Sequence, residues 1–119
     1  LENLKGIFDL AVYNRFRQGK TIAAELTPSA EVLRRWIIIF QPGERHIGFG
    51  NIPEHTYNVL HFELEKDKMQ YFQGDEDLIM VNKRRYYLNT NEELIDLLLD
   101  LRIDPKLFTY PWRCECPVY

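Results

Sequence analysis

Serine is almost missing from this chain: Ser29 is the one serine in 119 residues. No G-x-S-x-G or S-x-x-K pattern forms around it, which excludes the familiar serine-hydrolase signatures. Cysteine is nearly as scarce, with only Cys114 and Cys116. A C-x-C pair in extended chain points its thiols to opposite sides, which disfavours a mutual disulfide. It also lacks the second ligand pair of a zinc site. The expectation is two reduced thiols in a reducing, cytoplasmic compartment, with no metal and no cofactor. Long apolar runs are absent as well. The longest covers residues 36–40, against roughly 18 for a bilayer-spanning helix. No membrane span and no membrane partner is expected.

Other signatures are missing too. There is no G-x-x-x-x-G-K-[ST] loop, and Gly48-Phe49-Gly50 lacks the third glycine of a dinucleotide fingerprint. Nor is there an excess of positive charge. The formal net charge is −3, and residues 51–119 carry thirteen Asp/Glu against eight Lys/Arg. Broad nucleic-acid binding calls for a basic footprint, so no nucleic-acid partner is expected. No secretory signal is visible, and Leu1 is not a methionine. The chain reads as trimmed, tagged or excised at its N-terminus, and a non-catalytic domain of a larger protein is one alternative.

What is present is an ordinary globular composition, 45% apolar and 28% charged. A single domain over residues 1–119 follows from the length. Leu4, Ile7, Phe8, Ala11, Val12 and Phe16 recur at helical spacing and predict a helix over residues 2–18, with Gly19 as its cap. Residues 21–26 suit a short strand. Residues 34–41 are β-branched and aromatic, apolar at consecutive positions, and predict a central strand. Pro42-Gly43 signals a turn, after which residues 45–50 are expected as the partner strand.

Residues 57–65 alternate. Leu60, Phe62 and Leu64 share one face; His61, Glu63 and Glu65 share the other, which is expected to be solvated or shown to a partner. Further hairpins are expected between 57–65 and 69–73, and between 78–81 and 85–88 around Asn82-Lys83. Thr90-Asn91-Glu92-Glu93 is a capping box opening a helix over about residues 91–103. The resulting fold class is α+β: an antiparallel meander of five or six strands carrying an N-terminal and a C-terminal helix.

Three sets of residues are candidates for function. His46, His55 and His61 match no metal-ligand spacing. His46 and His61, with Glu44 to orient one of them, form the alternative reading of a hydrolase or nuclease. The acids make a second set. Glu92, Asp96 and Asp100 stand at i, i+4 and i+8 on the last helix. Like charges at that spacing destabilise a helix by a few tenths of a kcal/mol per pair, so helix stability does not explain them. Glu63 and Glu65 are their counterparts on the sheet. The third set is aromatic: Tyr110 and Tyr119, in a proline-punctuated tail, belong to the residue types that anchor interfaces. Phe108 and Trp112 in the same tail suit packing on the core.

Together these favour a small acidic binding protein without catalysis. The concrete form is an inhibitor or immunity protein capping a basic partner such as a bacterial nuclease toxin.

Overall fold

The computed structural model describes residues 4, 6–41, 56–71 and 79–118. Their architecture is α+β: a four-stranded antiparallel sheet flanked by an N-terminal and a C-terminal helix. The elements are α1 (Leu10–Arg17), β1 (Ile22–Leu26), β2 (Leu33–Phe40), β3 (Tyr57–Glu65), β4 (Val81–Leu88) and α2 (Asn91–Asp100). The strands lie in chain order, β1-β2-β3-β4.

Among the described residues the sheet is smaller than the sequence suggests, for three local reasons. β2 pairs along its length with β3, from Leu33 opposite Glu65 to Phe40 opposite Asn58. The expected partner at residues 45–50 lies outside the described residues. Lys66–Tyr71 is a 3₁₀ segment rather than a returning strand. Val81–Leu88 is one continuous strand, not a hairpin. Asn82 adopts a left-handed φ of 52°, which an asparagine tolerates. It falls where the β3–β4 register shifts between His61 and Glu63. A bulge therefore stands where a turn was expected.

Alternation divides the core into two layers. On one face Ile22, Ala24, Ile37, Ile39, Tyr57 and Val59 meet Val12 and Phe16 of α1 and Leu94 and Leu98 of α2. On the other face Trp36, Ile38, Phe40, Leu60, Phe62 and Leu64 meet Cys116 and Val118 of the C-terminal tail. The tail is fastened there. Thr109 exchanges two backbone hydrogen bonds with Ala23, at 2.8 and 3.1 Å, and so covers the outer edge of β1. The Trp36 indole donates to the Cys114 carbonyl at 2.9 Å. Arg34 forks onto Glu25 at 2.7 and 2.8 Å, reaches Glu115 at 3.1 Å, and lies over the Trp36 ring. Both cysteines are free, and burial pushes the Cys116 thiol up to about 12.

The helices end in the same way with different residues. α1 begins at Leu10, later than its apolar spacing predicts; Asp9 before it is extended at ψ 151° and makes no side-chain capping bond. At its C-terminus Gly19 N–H donates to Phe16 O and Lys20 N–H to Arg15 O, a Schellman motif with Gly19 at φ 81°. α2 has the capping box, with Thr90 and Glu93 reciprocating. It closes by Arg102 N–H to Leu99 O and Ile103 N–H to Leu98 O, the same motif. Here Arg102 occupies the left-handed position at φ 57°, and Ile103 packs back on the core with Leu98. Leu101 is half-buried rather than buried.

Candidate functional site

His61 and Glu63 lie beyond the helix-covered part of their sheet face. Pairing places His61 opposite Ile37 and Arg84, and Glu63 opposite Arg35. Glu63 is 4% exposed, which corrects the expectation of a solvated acid. It accepts from Ser29 N–H at 2.7 Å and from the Ser29 hydroxyl at 2.9 Å, and also from the Asn82 amide. Burial alone would raise its pKa. The Ser29 backbone N–H, the Asn82 amide, the Ser29 hydroxyl and nearby Arg35 outweigh that and hold the carboxyl below its ordinary value. The molecule's one serine thus serves a buried carboxylate.

Arg35 Nε donates to His61 Nε2 at 2.7 Å, and Arg35 Nη1 to the Thr27 carbonyl at 3.2 Å. An imidazole nitrogen that accepts from a guanidinium is unprotonated, so the proton of the neutral ring sits on Nδ1. That Nδ1 is buried with no hydrogen-bond partner among the described residues. Burial, then the Arg35 charge, depresses the His61 pKa; Glu63 opposes and Arg84 adds to the depression. In the hydrolase alternative, His46 and Glu44 lie outside the described residues. His61, the described member, has its basic nitrogen occupied by a cation.

Glu65, two residues beyond Glu63, is half-buried and paired with Lys68 at 3.0 Å. It borders an open cleft of about 920 Å³ lined by Pro28, Glu31, Val32, Lys66 and Asp67. Glu92, Asp96 and Asp100 are exposed on α2, and no cation lies within ion-pair distance of them among the described residues. The two acidic sets do not converge. Glu65 closes β3, whereas Asn91, beside Glu92, accepts from the Tyr57 hydroxyl at the strand's opposite end. Strand rise puts those ends about 26 Å apart.

Sequence reasoning missed an apolar crevice beside the α2 stripe. It has a volume of about 160 Å³ and is lined by Ile7, Ile95, Leu98, Leu99, Ile103 and Pro105. Leu99 is 68% exposed. At 100° per residue it stands between the crevice wall formed by Ile95 and the row of carboxylates. The signal was available: Leu99 is the apolar residue nearest the acidic row on the helical wheel.

In the tail, Phe108 is buried as expected, but Trp112 is 52% exposed. Trp112 and Tyr110 lie against each other with ring centroids 5.2 Å apart, and the Arg15 guanidinium lies over both. Tyr119 lies outside the described residues. Among the described residues no group of His, Cys, Asp and Glu could hold a metal ion, and no helix is long and apolar enough to cross a membrane. No protein-family model matches the chain, and comparison with curated proteins and with solved structures finds no significant similarity.

Proposed function

We propose that this chain is a small, non-catalytic binding protein whose α2 face receives a basic partner. Its concrete form would be an inhibitor or immunity protein that caps a basic domain such as a bacterial nuclease toxin. The observation that carries this reading is the juxtaposition on α2. A row of three exposed carboxylates, Glu92, Asp96 and Asp100, borders an apolar crevice whose lip is the exposed Leu99. An apolar side chain flanked by Lys or Arg suits both parts, anchoring in the crevice and pairing along the row. Crevice burial would slow dissociation, while the carboxylate row would steer encounter. Glu65 and Tyr110 fall at other places on the surface, so one compact interface would not use all the candidate residues.

The test is inhibition of basic nuclease domains, followed by stopped-flow association at several salt concentrations. Replacing Glu92, Asp96 and Asp100 together by Gln should slow association about tenfold or more at low salt and flatten its salt dependence. Leu99→Asp should act mainly on dissociation. Association that is unchanged in rate and salt slope in the triple variant would leave the row as a solvated face.

A further inference from the structure

We propose that the groove between α1 and the 3₁₀ turn Pro111–Cys114 binds a carboxylate-bearing segment of a protein partner, read by the Arg15 guanidinium and the exposed part of Trp112. This is a second recognition surface, opposite in sign to the α2 face and independent of it.

The groove is built rather than incidental. It has a volume of about 270 Å³ and is lined by Ala11, Asn14, Arg15, Gln18, Tyr110 and Trp112. The first four residues repeat at helical spacing along one side of α1 and its C-cap. The other wall is held by the Thr109–Ala23 bridge and by Pro111, which is buried. Arg15 is fixed in two ways. Its Nε donates to the Thr21 carbonyl at 2.6 Å, and its guanidinium carbon lies 5.0 Å from the Trp112 ring centroid and 5.7 Å from that of Tyr110. Arg113 stacks on Tyr110 at 4.9 Å. Two guanidiniums and two rings thus form one cluster.

The Arg15 guanidinium lies within cation–π distance of both rings. Its in-plane N–H donors stay available, and these are what grip an oxyanion in two parallel hydrogen bonds. The Arg15 Nη donors meet no acceptor among the described residues, and Asn14 and Gln18 place further amide groups at the rim. Among the described residues no acid lines the groove. An anionic guest therefore meets fixed donors without paying to order them.

The kind of anion follows from the surroundings. Asn14, Arg15 and Gln18 belong to the last turn and cap of α1, the negative pole of the helix dipole. That pole disfavours a doubly charged phosphate more than a singly charged carboxylate. The volume is below the range of typical small-molecule pockets, which suits one acidic side chain with an apolar neighbour against Trp112. Trp, Tyr and Arg are also the residue types that dominate binding energy at protein interfaces.

The experiment uses the two tryptophans as reporters. Trp36 is buried with its indole N–H bonded to Cys114 O, so its resonance reports only on the fold. The probe is a fluorescein-labelled heptapeptide alternating Glu and Gly around a central Phe, titrated into ¹⁵N-labelled protein at low salt. A saturable shift of the Trp112 indole resonance is expected, with the Trp36 resonance unmoved. By anisotropy, Arg15→Lys keeps the charge but loses the planar fork, and should weaken the peptide by about tenfold. Trp112→Leu, at an exposed site, should do the same. The Glu92, Asp96 and Asp100 triple Gln variant should bind the peptide as tightly as the wild type, which separates this proposal from the basic-partner reading.

Four results would overturn it. They are a Trp112 resonance that does not respond, equal binding of the same peptide with Lys in place of Glu, and a response to inorganic phosphate at lower concentration than to peptide. The fourth is a response to protein concentration alone, which would assign the groove to a second copy of this chain.

Discussion

Two ends of one sheet face carry opposite chemistry. At one end, Ile37, Ile39, Tyr57, Val59, Tyr86 and Leu88 sit beneath the helices. One step along the same strands the residues become Arg35, His61, Glu63 and Arg84, and the cover is the Ser29 turn and the Asn82 bulge. The apolar end is held by burial, which is non-directional and proportional to area. The polar end is held by hydrogen bonds whose geometry must be right, since a buried donor or acceptor left alone costs more than the bond contributes. Strand alternation decides which residues share a face. What each stretch of that face meets is decided by where the helices stop.

The comparison breaks most sharply at the apolar end. Leu98→Ala removes a fully buried side chain between α2 and the sheet. It should lower stability by about 2–5 kcal/mol in denaturant unfolding. An unchanged midpoint would mean that α2 contributes little to the core. At the polar end, Glu63→Ala leaves the Ser29 and Asn82 donors without their acceptor and removes the charge beside Arg35. A loss of about 2–3 kcal/mol is expected. Substitution by Leu should not recover it, because the donors remain; full recovery would erase the distinction between the two ends.

Acid should act on the polar end. His61 has a folded pKa below its usual 6.5, so the unfolded chain binds its proton first. Stability should fall as pH drops from about 6.5 toward the folded value. Glu63 is also depressed, below 4.5, and adds a second decline as pH falls through that region. His61→Gln should flatten the first decline and leave the second, as read from urea midpoints between pH 7 and 3. A decline unaltered between pH 6.5 and 5 would place its cause elsewhere.

Smaller effects are expected at the end of α2. Arg102→Gly relieves a left-handed side-chain residue in a motif where α1 uses Gly19. It should stabilise by a few tenths to about 1 kcal/mol in thermal or denaturant unfolding. A loss of stability would show that Arg102 makes compensating contacts in the folded state.

Much of this was legible in the sequence where local chemistry and global placement agree. The capping box at Thr90 predicts the start of α2, and the run at residues 36–40 marks an inner strand. The α+β class follows from those segments. The misreadings occur where a local signal is overruled by a distant one. Asn82-Lys83 resembles a turn, yet β3 recruits it into one strand with residues 85–88, in which Arg85 donates to Asn58 at 2.9 Å. Glu63 sits on the polar side of an alternating strand, and alternation separates faces without saying whether the polar one is wet. Its donor Ser29 is 34 residues away, beyond any local pattern. The Arg15 cluster joins the first helix to the tail for the same reason, so only the individual residue types could be singled out beforehand.

The tail's position also imposes an order of assembly. Cys116 and Val118 cover Trp36, Ile38 and Phe62, which precede them by more than fifty residues. During synthesis at about 5–20 residues per second, β2 and β3 leave the ribosome seconds before their cover does. For that interval the side of β2 and β3 that carries Trp36 lacks the packing that Cys116 and Val118 supply. A nascent chain that has β2 and β3 but not yet residues 114–118 therefore leaves this apolar face without part of its cover.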